Sequence, residues 1–215
     1  SVRRSTSHVG KPPRKKSVNS SQQTAWLFQT KTVTKNRFMF DFIKNIFRGK
    51  VINKTGNDIQ TGLTPVSNLH SVTVLLDIND AREEGCLDRI RKYFKTRGMS
   101  CEIWFLDLNK KHKEGEESPD PERTITKKDL NWFDKPSRER INKISGENPE
   151  LFISLVNNNS FTIAFITKSL PAKFKIGRMQ LKTRIFDLVI EDSPSGEFTA
   201  SQAFDEIVKY LTIIK

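Results

Sequence analysis

The sequence has few residues of the kinds that most enzymes use for catalysis or for metal binding. None of its three histidines, His8, His70 and His112, falls in a predicted helix or strand, which argues against a hydrolase triad or a zinc site. The two cysteines, Cys86 and Cys101, lack metal-ligand spacing and are too few for a disulfide framework. The patterns GxGxxG, GxxxxGK[ST], HExxH and CxxC are absent as well. We therefore expect no metal and no cofactor, and we favour a protein that is not an enzyme.

Long apolar runs are also missing. No run approaches the roughly 18–20 residues that a membrane-spanning helix needs. The first residues lack the contiguous apolar region of a secretory signal. We expect a cytoplasmic protein, which a surface element could hold peripherally at the inner membrane.

Acidic residues are absent from the first part of the chain. Residues 1–54 contain 13 Lys and Arg against Asp41 alone, whereas residues 55–215 contain 24 basic and 24 acidic residues. The basic charge therefore belongs to the N-terminal part, which is the only part where contact with nucleic acid is compatible with the charge. The alternative is a solvated basic tail that binds nothing. The composition of residues 1–38 predicts a disordered basic arm. Because Met39 begins a more protein-like stretch, a second interpretation is that residues 1–38 are not native sequence.

Residues 39–54 predict a basic amphipathic helix. Apolar side chains recur from Met39 at intervals of three and four residues, which places them on one face. Three interpretations remain open: docking at an anionic membrane surface, packing on a protein partner, and packing on the chain's own domain. The candidate attachment residues are Phe42, Ile43, Lys44, Ile46, Phe47 and Arg48.

After a linker at residues 55–68, residues 69–215 predict a single three-layer α/β domain of Rossmann-like type with a mostly parallel five-stranded sheet. The stretch at residues 173–192 holds two apolar runs, and we expect the second to be a strand buried on both faces around which the fold is organised. About seven residues separate these runs, too few for a crossover helix, so we expect antiparallel pairing or insertion of the last strand elsewhere. The predicted strands are Val72–Ile78, Cys101–Leu108, Leu151–Val156, Phe174–Gly177 and Ile185–Glu191.

Polar residues follow several of these strands. Ligands of doubly wound sheets bind outside the carboxyl ends of the strands. The same residue types also cap helices and form turns, and that alternative stays open. The candidate ligand edge consists of Asp77, Asp107, Asn157, Asn158, Glu191 and Asp192.

A candidate surface motif comprises Asn131, Trp132 and Lys135. An aromatic residue among lysines is typical of single-strand nucleic-acid contacts. The alternative, which we favour, is that the aromatic residues here close the edge of the core.

Five segments of the chain carry a family resemblance: DLNWFDKP (Asp129–Pro136), LFISL (Leu151–Leu155), AKFKIGR (Ala172–Arg178), FDLVI (Phe186–Ile190) and IVKYLTIIK (Ile207–Lys215). Through these segments the chain resembles a bacterial family of uncharacterised proteins, whose members look alike in starting with a short Phe/Lys-rich helix such as residues 39–50. The resemblance implies an α/β fold and carries no established activity. More distantly, a strand and a helix of small and apolar residues followed by KFKIG resemble the N-terminal half of heptosyltransferase-type glycosyltransferases, which implies nucleotide or sugar-phosphate binding.

The sequence thus favours a cytoplasmic interaction module attached through its basic helix, with a protein or an anionic membrane surface as the partner. The alternative is a degenerate nucleotide- or sugar-phosphate-binding domain that uses the acids and asparagines at the strand ends.

Overall fold

The computed structural model describes residues 40–56, 59–108, 118–192 and 198–214. The chain divides into two compact units, Ser1–Lys44 and Asn45–Lys215. A helix, α1, covers residues 40–54. The prediction of a disordered arm over residues 1–38 lies outside the described residues.

The larger unit is built on a parallel sheet. Its strands are β1 (Ser71–Asp77), β2 (Ser100–Asp107), β3 (Thr124–Thr126), β4 (Leu151–Ser154), β5 (Phe174–Gly177) and β6 (Leu188–Val189). Their order in space is β3-β2-β1-β4-β5-β6, and all neighbouring pairs are parallel. This is the order of dinucleotide-binding Rossmann domains, with the winding direction reversing between β1 and β4. We call that position the switch point.

Helices cover both faces of the sheet. On one face lie α2 (Cys86–Lys95) and α5 (Ala200–Ile213), and on the other lie α3 (Arg138–Gly146) and α4 (Phe161–Ser169). Val74 packs in the core with Phe94 and Phe204, while the next residue, Leu75, packs in the opposite core with Ile166. Successive residues reach opposite cores because side chains alternate across a strand. The predicted three-layer α/β fold is confirmed.

In the described part of the chain, the sheet has six strands rather than the five predicted. The additional strand is β3, which pairs with β2 through Phe105 and Thr124. It is only three residues long and lies between 3-10 turns at Pro121–Arg123 and Lys127–Asp129. The sequence Thr-Ile-Thr is too short to show an alternating pattern, so periodicity did not reveal it.

The prediction that Ile185–Glu191 forms the central strand is wrong. Only Leu188 and Val189 pair, at the edge of the sheet, and both are half-buried. They run parallel to β5, in contrast to both predicted arrangements. Pairing begins at Leu188, so the connection between β5 and β6 is longer than the sequence indicated. This connection joins two parallel strands and contains no helix.

Two side chains fix this edge. The Asp187 carboxylate accepts a hydrogen bond from the Lys175 N–H at 2.8 Å and another from the Thr61 hydroxyl at 2.9 Å. The ring of Phe186 lies so close to Gly177 that a Cβ there would overlap it. The sequence of this run is apolar like that of a buried strand because its side chains cover the end of β5. Most of its residues nevertheless form no strand pairing with β5.

Candidate functional site

A tight turn at residues 130–136 presents Trp132 to solvent. The side-chain oxygen of Asn131 accepts hydrogen bonds from two main-chain N–H groups later in the turn, at 3.1 and 3.0 Å. Asp134 has a φ of 66°, a left-handed conformation that Asp adopts more readily than most residues other than Gly. Asn131 therefore shapes the turn, while Trp132 at its tip is 48% exposed.

The C-terminal part of α1 docks on this turn. The Arg48 guanidinium donates to the main-chain oxygen of Phe133 at 3.1 Å and forms an ion pair with the Asp134 carboxylate. Ile52 is buried, and its main-chain oxygen accepts a hydrogen bond from the Lys168 ammonium at 2.8 Å. Of the interpretations left open by the sequence, packing on the chain's own domain therefore holds for this part of the helix.

Three apolar side chains beside this contact remain partly exposed. The ring centroids of Phe47 and Trp132 lie 5.2 Å apart in an edge-to-face arrangement, and Ile46 precedes Phe47 on the helix. Ile46, Phe47 and Trp132 are 42%, 45% and 48% exposed. We call these three residues the aromatic patch. The structure thus brings together two candidate sets that lie far apart in the sequence.

Basic side chains accompany the aromatic patch. Lys50 and Lys54 on α1, and Lys127 and Lys128 in the 3-10 turn that leads to Trp132, are all exposed. None of the four forms an ion pair within the described part of the chain. Lys135 differs, because its ammonium lies 5.1 Å from the centroid of the buried Phe165 ring.

The remaining helix candidates belong to the smaller unit. Phe42 and Ile43 are 63% and 42% exposed, and Lys44 is half-buried.

A second candidate site lies at the switch point, as the predicted ligand edge requires. A cleft of about 340 Å³ opens there between the ends of β1 and β4. Three of the predicted residues, Asp77, Asn157 and Asn158, line it. Asp77 also accepts hydrogen bonds from the main-chain and side-chain nitrogens of Asn79, at 2.9 and 2.8 Å, so its carboxylate shapes the turn after β1.

The cleft also contains a buried cation that sequence reasoning missed. Arg178 is only 4% exposed, and its guanidinium donates two hydrogen bonds of 3.1 Å to the Asp192 carboxylate. It also donates to the main-chain oxygens of Leu155 and Phe198. The sequence signal for this cation is a basic residue directly after β5, at the edge where the acids lie.

The electrostatic character of the cleft is acidic. Burial raises the pKa of Asp80, and the neighbouring carboxylates of Asp77, Glu83 and Asp192 raise it further, while Arg178 opposes them. The Arg178 guanidinium is paired with Asp192 and also lies 3.9 Å from the Asp80 carboxylate. One cation therefore meets the three carboxylates of Asp77, Asp80 and Asp192, so the cleft keeps a net negative charge.

Three other predicted residues lie outside the lining of the cleft. Asp192 holds Arg178 and also accepts a hydrogen bond from the Asn157 amide at 3.2 Å. Asp107 is buried at the end of β2, and Glu191 is exposed after β6. Of the six predicted residues, three therefore line the cleft, Asp192 pairs with Arg178, and Asp107 and Glu191 belong to neither group.

Within the described ranges, no group of three His, Cys, Asp or Glu side chains is placed to hold a metal ion. No helix in the same ranges has the length and apolar character needed to cross a membrane.

Comparison with curated proteins and with solved structures finds no match. A family model matches residues 42–214, which include α1 from Phe42 onward, the whole sheet and both candidate sites. The predicted membership of an uncharacterised family is thereby confirmed. The chain belongs to a family of unknown function, DUF6913.

Proposed function

We propose that this protein is an interaction module that docks on an anionic membrane surface through the aromatic patch. The observation that carries the proposal is the contact between Phe47 and Trp132, which joins a helix and a distant turn into one exposed apolar surface. Trp is enriched where proteins meet the interface between lipid and water. The ion pair of Arg48 with Asp134 holds the helix and the turn in this arrangement.

The charge around the patch favours a membrane over a protein partner. Protein interfaces are depleted in Lys, whereas Lys50, Lys54, Lys127 and Lys128 lie on the two elements that form the patch. Near an anionic bilayer each Lys contributes about 1 kcal/mol. Each half-exposed apolar side chain would add roughly 1 kcal/mol, about half the value for full burial. The two contributions are similar in size, so we expect weak binding that requires anionic lipid and falls with salt.

Vesicle sedimentation tests the proposal. Wild-type protein is expected to sediment with phosphatidylcholine vesicles that contain phosphatidylglycerol, and not with phosphatidylcholine alone. The double variant Phe47→Asp, Trp132→Asp should bind at least tenfold more weakly, because two charges replace apolar side chains at the contact. Thermal melts of the variant would show whether the domain stays folded.

Tyr210→Asp provides the matched control. Tyr210 is aromatic, lies on a helix and is 46% exposed, close to the value for Phe47. The Tyr210→Asp variant is expected to bind vesicles as the wild type does. Absence of wild-type binding to anionic vesicles would overturn the proposal, as would equal binding by a folded double variant. A protein that co-purifies with the wild type and is lost from the double variant would identify a protein partner instead.

A second candidate function is small-ligand binding in the cleft at the switch point, where Rossmann-like domains place their ligands. Because Asp77 and Asp80 face the cleft, a ligand with hydroxyl or ammonium groups fits it better than a phosphate does. A nucleoside is therefore expected to raise the melting temperature more than its nucleotide, and Asp77→Asn should reduce the shift. No shift with either compound would contradict this second candidate.

A further inference from the structure

A second concave site lies beside α1, away from the switch point. Its volume is about 430 Å³, within the range typical of small-molecule pockets. One wall is α1, another is the start of α4, and a third is the loop that follows β5. All of these walls belong to the unit Asn45–Lys215.

The described residues that line this cavity include two cations and no carboxylate. The cations are Arg48 and Lys182. Arg48 is partly neutralised by Asp134, but Lys182 is exposed and forms no ion pair within the described part of the chain. The lining therefore carries a net positive charge, in contrast to the acidic cleft at the switch point.

The polar groups of the lining can donate hydrogen bonds. Ser160 caps α4, and its hydroxyl oxygen accepts from the Ile163 N–H at 3.3 Å, which leaves the hydroxyl hydrogen for another partner. Thr183 and Asn159 supply a further hydroxyl and an amide. The positive end of the α4 dipole adds to the field of the cations. Donors and positive charge together match the oxygens of a phosphate group.

One part of the lining is apolar. Ile52, Phe161 and Ala164 form this part, and the Arg48 guanidinium lies over the Phe161 ring, 5.6 Å from the ring centroid. Asn45 and Gly49 on α1 complete the lining, and the Asn45 side-chain oxygen accepts a hydrogen bond from Arg48 at 3.4 Å. A cavity for bare phosphate would need no such surface. A phosphate ester would place its oxygens toward Lys182 and its carbon chain on the apolar side.

We propose that this cavity binds a phosphate monoester on a small organic group. A soluble ester and a lipid headgroup share this chemistry. The inference goes beyond the proposed membrane docking, since a soluble ester would bind without any bilayer. Lys182 supplies the main unpaired charge, and the hydroxyls of Ser160 and Thr183 orient the phosphate.

Calorimetric titration with glycerol 3-phosphate tests the proposal, with glycerol as the control for the organic part. Wild-type protein is expected to bind the phosphate ester and not glycerol. Lys182→Ala should weaken binding at least tenfold, whereas Arg184→Ala should not change it. Arg184 is an exposed cation two residues away that does not line the cavity and forms no ion pair within the described ranges. No binding by wild type, or equal binding by wild type and Lys182→Ala, would overturn the inference.

Vesicles distinguish the two sources of the ester. If the ligand is a lipid, Lys182→Ala will weaken binding to vesicles with phosphatidic acid, which carries a phosphate monoester, more than binding to vesicles with phosphatidylglycerol. If the ligand is soluble, the variant will bind both vesicles equally and will lose only glycerol 3-phosphate. The Phe47→Asp, Trp132→Asp variant should still bind glycerol 3-phosphate, so failure of the membrane proposal and failure of this one give different results.

Discussion

Loss of the Arg178 guanidinium should destabilise the fold, because this group joins three separate segments of the chain. The guanidinium joins the end of β5 to Asp192 after β6 and to the main chain at Phe198, just before α5. The change Arg178→Met keeps much of the side-chain volume and removes the charge. Within the described ranges, Asp192, whose side chain is 16% exposed, would keep two donors, the N–H groups of Asn157 and Phe198.

The expected magnitude follows from this burial. Removing one partner of a buried ion pair typically costs about 3–5 kcal/mol, because the other charge stays buried without compensation. Since Asp192 retains some contact with water, we expect a loss near the lower value, about 3 kcal/mol. Combining Arg178→Met with Asp192→Asn should cost less than the sum of the single changes, because no uncompensated charge remains.

Urea unfolding followed by circular dichroism measures this loss. Arg184→Met is the control, since Arg184 is exposed in the same loop, and it should change the unfolding free energy by less than about 0.5 kcal/mol. A value for Arg178→Met as small as that of the control would refute the reasoning.

Three further predictions concern the sheet and its ionisable groups. Leu75→Ala on the central strand should cost about 3–5 kcal/mol in urea unfolding, and Leu188→Ala at the edge about 1 kcal/mol, because Leu75 is fully buried and Leu188 is half-buried; equal losses would contradict the strand order. Burial lowers the pKa of Lys175, so the stability of the wild type should rise as the pH increases through that lowered pKa toward 10.5. Thermal melts at pH 7 and pH 10 should show that Lys175→Met is more stable than the wild type at pH 7 and that it lacks this rise. Hydrogen bonds from Lys173 and from the main chain hold the pKa of Glu150 at about 2, so its contribution to folding stability is complete above pH 4.5 and is lost as the pH falls toward 2. Acid unfolding of Glu150→Gln should therefore show a smaller loss of stability than the wild type over that interval.

The sequence predicted the strands that are buried and regular. Strands β1, β2 and β4 contain continuous apolar runs, and β5 has apolar residues on either side of Lys175. The last helix, α5, follows Thr199, which forms a capping box with Gln202. Prediction from the sequence failed for β3 and β6, because these strands are only three and two residues long and side-chain hydrogen bonds help to fix them. The carboxylate of Asp187 bonds the main chain of β5, and no periodicity reports such a contact.

The sequence predicted those parts of the candidate sites that follow from strand topology, and it missed those that depend on tertiary contacts. Residue types and strand ends placed Asp77 and the asparagines at one edge, because parallel topology forces them together. The sequence did not reveal that Phe47 meets Trp132 or that Arg48 pairs with Asp134, since 85 or more residues separate these partners and tertiary packing alone brings them together.

The pairing of β1 with β4 has a consequence for synthesis on the ribosome. Val72 lies opposite Leu151, about 80 residues further along the chain. At about 5–20 residues per second, the ribosome needs roughly 4–16 seconds to make that stretch. During this time the main-chain N–H and C=O groups of β1 that pair with β4 have no native partner, and they can pair with another strand or bind a chaperone.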